Sequence, residues 1–141
     1  MTPPVPHFVL DACAWIAYLN DEEGAERVEK RLIEATQDEV VLLMTAVNVC
    51  EVYYDCLRAK GVEEADRLLE KVEGLPVEIV RSIDDSLLRS VGKIKVDERV
   101  SLGDAFALGF AKLRHAKVMS SDHHEFDAVA EKDEIQFEWI R

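Results

Sequence analysis

Four acidic residues stand at positions where an alternating α/β chain places its chemistry. Asp11 ends the apolar run Phe8-Val9-Leu10. Glu51 lies in the second turn of the segment that follows the apolar run Val40–Met44. Asp104 closes the run Ser101-Leu102-Gly103-Asp104 at the head of a long apolar stretch, and Asp122 follows Lys117–Met119 by two serines. Carboxylates are hard oxygen donors and suit Mg²⁺ or Mn²⁺; Mg²⁺ is usually held by one or two carboxylates with several waters retained. Gathered without a cation, such groups repel one another and one or more pKa values rise. Two ions about 3.5–4 Å apart activate a water and stabilise the leaving oxygen of a phosphodiester. The chemistry these residues point to is therefore metal-assisted hydrolysis.

Each acid also has a plainer reading. Asp11 before Ala12-Cys13-Ala14-Trp15 has the form of a helix N-cap. Ser101 and Asp104 have capping-box spacing. Asp122 caps a short turn at His123-His124-Glu125-Phe126. Glu51 is the hardest to dismiss, because it borders an apolar stripe and no Lys or Arg occupies positions 47, 48, 54 or 55. It has no helical ion-pair partner, and a half-buried carboxylate without one is costly.

The elements that must position these acids follow from apolar runs and periodicity. Strands are expected at Val5–Leu10, Val40–Met44, Val77–Val80, Lys117–Met119 and Phe137–Ile140. Helices are expected at Ala14–Asn20, Gly24–Thr36, Thr45–Lys60, Val62–Glu73, Asp84–Lys93 and Leu102–His115. Apolar residues at helical spacing mark the helices, and Gly61, Gly74 and Pro76 punctuate them. Strands separated by helix pairs predict an α/β fold: a three-layer α/β/α sandwich around a mostly parallel central sheet. In such sheets ligands collect beyond the carboxyl ends of the strands. Chain direction alone puts Asp11, Glu51 and Asp122 on that edge. Asp104 reaches it only if its loop packs accordingly.

The 141 residues suit a single domain, 1–141. Hydrophobic residues at 48 % and charged residues at 33 % describe a globular chain. No apolar run reaches the ~18–20 residues of a membrane span, and no Lys or Arg precedes Phe8, so the start does not read as a secretory signal. Seventeen basic against 29 acidic residues leave a net charge of −12. That charge disfavours indiscriminate nucleic-acid binding unless bound cations reverse the field locally. Lys93, Lys95 and Arg99, just before Asp104, are candidates to guide a phosphate backbone or are simply solvated helix-end charges. Cys13, Cys50 and Cys56 form no C-x-x-C pair and fit a reducing cytoplasm. Neither G-x-G-x-x-G nor a P-loop occurs, which disfavours dinucleotide or nucleoside-triphosphate binding.

The set Val9-Leu10-Asp11, Asn48-Val49-Cys50-Glu51-Val52-Tyr53, Ser101-Leu102-Gly103-Asp104-Ala105-Phe106-Ala107 and Ser120-Ser121-Asp122-His123-His124-Glu125-Phe126 resembles the PIN domain. More narrowly it is similar to the VapC toxins of type II toxin–antitoxin pairs. The resemblance implies a Mg²⁺- or Mn²⁺-dependent endoribonuclease whose catalytic metal ligands are Asp11, Glu51, Asp104 and Asp122. By the same analogy, Asp11 and Asp104 hold a first metal. Glu51 supports it directly or through water, and Asp122 helps a second metal or orients the water. A homodimer, a transfer or ribosomal RNA substrate and a VapB-like antitoxin are implied as partners.

The chain departs from the pattern where many relatives carry a hydroxyl residue just after the first Asp. Here Ala12 and Cys13 stand there, so a hydroxyl that orients Asp11 is expected to be missing. Asp127 is a candidate fifth acid. His123 and His124 invite a zinc reading with Asp122 and Asp127, and oxidation of Cys13 or Cys50 is a possible control on the site. Other classes remain: an RNA-maturation nuclease without an antitoxin, a binding protein with a decayed site, and a phospho-acceptor receiver module. The last lacks both the acidic pair at the first strand and the late-strand Lys it needs.

Overall fold

The computed structural model of the chain describes residues 4–141. Met1–Pro3, and with them the reading of the first residues as no secretory leader, lie outside the described residues. The elements run β1 (His7–Leu10), α1 (Ala12–Leu19), α2 (Ala25–Thr36), β2 (Val41–Thr45), α3 (Ala46–Lys60), α4 (Val62–Glu73), β3 (Glu78–Val80), α5 (Asp85–Asp97), α6 (Leu102–Arg114), β4 (Lys117–Ser120), α7 (His123–Glu131) and β5 (Phe137–Trp139).

The five strands form one sheet in the order β3-β2-β1-β4-β5. All four pairings are parallel, so the sheet is fully rather than mostly parallel. Phe8 faces Leu42 and Lys117 in register, and Leu10 faces Met119. Parallel strands need crossovers, and the helices that provide them cover both faces. The strands are consequently apolar on both sides. Val9, Leu43 and Val118 pack against α5, α6 and α7. Phe8, Leu10, Leu42, Met44 and Met119 pack against α1, α2, α3 and α4. This is the three-layer α/β/α arrangement expected.

Helix α6 is buried along most of its length, from Gly103 through Ala111. A Cβ at Gly109 would collide with the Val91 backbone, so a glycine there lets α5 and α6 close on each other. Ser90 Oγ donates to the Gly109 carbonyl at 2.7 Å across that contact. Most boundaries shift by one or two residues from expectation, and three differences matter for the site and the core. Helix α1 starts at Ala12 instead of Ala14, because Asp11 caps it. Helix α5 continues past Lys93 to Asp97, carrying Ile94 into the core. The turn expected at His123–Phe126 is the start of the nine-residue helix α7.

The chain leaves β1 toward β2 on one side and returns to β4 on the other. The strand order thus reverses between β1 and β4, and such a switch point opens a crevice at the carboxyl ends. Asp11 follows β1 and Asp122 follows β4. Among the described residues no helix is long and apolar enough to cross a membrane.

Candidate metal centre

Asp11 is the innermost acid, only 2 % exposed. Its backbone N–H donates to the Met119 carbonyl at 3.3 Å, carrying the β1–β4 ladder one residue past the strand. Its carboxylate accepts the Ala14 N–H at 2.8 Å as the N-cap of α1. The capping reading and the site reading are both satisfied, because a carboxylate has lone pairs to spare. Burial pushes the Asp11 carboxyl up to about 7; hydrogen bonds from Ser120 and the Ala14 backbone pull it back, and the charges of Asp104 and Asp122 add to the rise.

Asp104 sits in the first turn of α6, half-buried. Ser101 caps that helix by accepting the Asp104 N–H at 3.1 Å. Burial pushes the Asp104 carboxyl up to about 6; the Ser101 hydroxyl opposes this, and Asp122, Glu51 and Glu125 reinforce it. Glu51 projects from α3, half-buried, and accepts from Asn48 Nδ2 at 2.8 Å. Asp122 caps α7 by accepting the Glu125 N–H at 3.1 Å, while its own N–H donates to Ser120 Oγ at 2.9 Å.

All four acids line one pocket of about 530 Å³. Glu125, which sequence reasoning missed, lines it as a fifth. Its spacing of three from Asp122 puts both on one face once α7 is recognised as a helix. Lys95 and Arg99 stand on the pocket wall with Cys13. Lys95 gives its ammonium to the Val100 carbonyl at 2.7 Å. Lys93, also a candidate phosphate guide, instead pairs with Asp97 at 2.7 Å. Among the described residues none of the five acids is in an ion pair.

The hydroxyl expected to be missing beside Asp11 comes from elsewhere. Ser120, fully buried at the end of β4 beside Asp11, has a hydroxyl that favours the ionised form of the Asp11 carboxyl. The zinc reading of His123 does not hold. His123 Nδ1 engages Asp127 Oδ1 at 2.8 Å, Nε2 engages the Arg141 carbonyl at 3.0 Å, and the ring stacks on Trp139 with centroids 3.9 Å apart. Both nitrogens and the candidate fifth acid Asp127 are spent on one another and on the chain.

A family model described as the PIN domain matches residues 8–132. The chain belongs to the PIN domain family. No curated protein sequence matches it. Among solved structures the fold is similar to a chain of VapBC2 from Rickettsia felis bound to a DNA fragment from its promoter. That match has a TM-score of 0.74 at 12 % identity, covering 94 % of this chain and 98 % of the other. It is similar to a chain of DNA-bound VapBC from Salmonella typhimurium, with a TM-score of 0.71 at 19 % identity, covering 97 % and 100 %. It is also similar to VapC20 of Mycobacterium tuberculosis, described as a toxin that cleaves the sarcin–ricin loop. There the TM-score is 0.65 at 15 % identity, covering 86 % and 94 %.

The donor chemistry of the PIN-domain pocket suits a hard divalent cation: among the described residues its lining offers carboxylate oxygens, Cys13 as the one thiol, and an innermost acid, Asp11, in no ion pair. Among the described residues no three His, Cys, Asp or Glu side chains stand close enough to enclose one ion.

Proposed function

We propose that this PIN domain is a Mg²⁺- or Mn²⁺-dependent endoribonuclease, the VapC-like toxin of a toxin–antitoxin pair, acting on RNA phosphodiesters at this pocket. One observation carries the reading: among the described residues Asp11 is a buried carboxylate in no ion pair, and it lines the same pocket as Glu51, Asp104 and Asp122. A charge buried that way is costly until a cation arrives. Asp11 and Asp104 would hold the first ion, with Glu51 adding a direct or water-mediated contact. Asp122 would assist a second ion or orient the attacking water. A divalent ion bound there supplies Lewis-acid polarisation of the phosphoryl oxygens and lowers the pKa of water.

The protein's own contribution is to align and screen. Ser101 and Ser120 fix the acids by hydrogen bonds, and the apolar core beneath excludes water from Asp11. Lys95 and Arg99 offer positive charge on the wall of an otherwise acidic pocket, where a phosphate chain must approach. RNA as substrate is supported by the similarity in fold to a toxin that cleaves the sarcin–ricin loop. By analogy with VapBC complexes, the chain would work in the cytoplasm as a homodimer and be blocked by a VapB-like antitoxin.

The test is cleavage of total RNA by the purified chain with Mg²⁺ or Mn²⁺ and with EDTA, alongside Asp11→Asn and Asp104→Asn. Cleavage should need the metal and be lost in both variants while they remain folded. Folded variants that cut RNA like the parent would remove the assignment.

A further inference from the structure

The Asn48 side chain is 1 % exposed and uses its amide on three partners. Its Oδ1 accepts the Thr45 hydroxyl at 2.6 Å. Its Nδ2 donates to Glu51 Oε1 at 2.8 Å and to the Gly103 carbonyl at 3.0 Å. Thr45 is itself the N-cap of α3 and accepts the Asn48 N–H at 3.1 Å. One buried amide thus joins the end of β2, the Glu51 carboxylate and the first turn of α6, one residue before Asp104.

Gly103 closes the other side. A Cβ built there would fall inside the Glu51 carboxylate, within reach of its carbon and both oxygens. The absence of a side chain at 103 is therefore what leaves room for Glu51 between α3 and α6. The two observations are independent: one is a donor that pulls the carboxylate into place, the other a vacancy shaped for it.

We propose that Asn48 and Gly103 are positioning residues that set the Glu51 carboxylate in the pocket before any cation arrives, with Asn48 also fixing the turn that carries Asp104. This rests on the metal-dependent reading above. In a flexible glutamate, two methylene groups must be ordered for the carboxylate to serve one site. Fixing it in advance leaves less ordering to be done on binding. Partners that orient ligands in this way are typically worth about 10–100-fold in metal affinity.

The test is calorimetric titration with Mn²⁺ of the metal-free parent, Asn48→Ala, Gly103→Ala, Glu51→Ala and the double variant Gly103→Ala/Glu51→Ala. Gly103→Ala meets only the far end of a flexible side chain and adds a good helix former. It should keep the parent's thermal midpoint while displacing the carboxylate. Asn48→Ala and Gly103→Ala should each weaken Mn²⁺ binding by roughly 10-fold or more. In the Glu51→Ala background Gly103→Ala should weaken it no further. Parent-like Mn²⁺ affinity in Gly103→Ala overturns the proposal. So does an equal loss with and without Glu51, which would mark a general distortion of α6. A parent that binds no Mn²⁺ and cuts no RNA fails the functional reading itself, a separate result.

Discussion

Ser120 sets its hydroxyl beside Asp11, where Ala12 and Cys13 offer none. It does so across the sheet, at the end of the strand paired to β1, and accepts the Asp122 N–H at 2.9 Å in the same position. One buried hydroxyl therefore bonds the Asp122 backbone and favours the charged form of Asp11. Ser120→Ala leaves the Asp122 N–H without its partner and withdraws a donor from Asp11. The expected loss is about 1–3 kcal/mol of unfolding free energy. Because the donor favours ionised Asp11, the loss should be larger at pH 8 than at pH 5. Urea denaturation at both values, without metal, reads this directly. Equal losses would mean that Ser120 acts only on Asp122.

The pocket makes the metal-free protein sensitive to pH in a stated direction. Asp11 and Asp104 are pushed up from 3.8 to about 7 and about 6. Between about pH 4 and pH 7 the folded chain thus holds more protons than the unfolded chain. This contribution to stability falls as pH rises through that window and levels off above it. The Asp11 shift alone corresponds to on the order of 4 kcal/mol. Asp11→Asn keeps a good N-cap and removes the buried charge. It should flatten the pH curve and stabilise the metal-free chain at pH 8 by about 1–2 kcal/mol, the full gain being reduced by the amide's own unmet donors. Parallel curves for parent and variant would show that Asp11 titrates as an ordinary carboxyl.

The same residues show what could be read before the fold was known. Asp11, Glu51 and Asp122 were legible because parallel strands expose their carboxyl ends on one edge, and apolar runs such as Leu42-Leu43-Met44 mark those strands plainly. Helix α7 was not legible. Its apolar residues Phe126 and Val129 give less than a full stripe, and its first turn is His123-His124-Glu125. Losing that helix also hid Glu125. The Ser120–Asp11 contact needs the β1–β4 pairing, and the Asn48–Gly103 contact spans 55 residues. Neither follows from local spacing, because each is decided by which elements pack together.

Cys13 lies in the pocket wall, where the sequence suggested redox control. The structure argues for an inert thiol. Burial pushes its pKa up to about 12, and the charges of Asp11, Asp122, Asp104 and Glu51 add to that. The thiolate is the reactive form, so almost none exists at pH 8. Iodoacetamide at pH 8 should label the exposed Cys50 well before Cys13, as read by peptide mass spectrometry on the folded, metal-free chain. Labelling of Cys13 at a rate matching Cys50 would restore the redox reading.

Outside the acidic pocket, Arg31 holds the edge of the sheet. Its Nε and Nη2 each donate to Glu138 of β5 at 2.9 Å, Nη1 donates to Glu34 at 2.9 Å, and the guanidinium lies 4.4 Å from the centre of the Phe8 ring. Strand β5 is only three residues long, so main-chain pairing alone holds it weakly. Its Trp139 carries the His123 ring and therefore the start of α7, the helix that Asp122 caps. Arg31→Ala and Glu138→Ala should each cost about 1.5–3 kcal/mol, the range for hydrogen bonds to charged groups. The double variant should cost less than their sum, because the two remove one shared contact. The loss should also be local: amide exchange should speed up at Ile140, whose N–H donates to the Ser120 carbonyl at 3.1 Å. Purely additive costs with unchanged exchange at Ile140 would show that β5 is held by its apolar face instead.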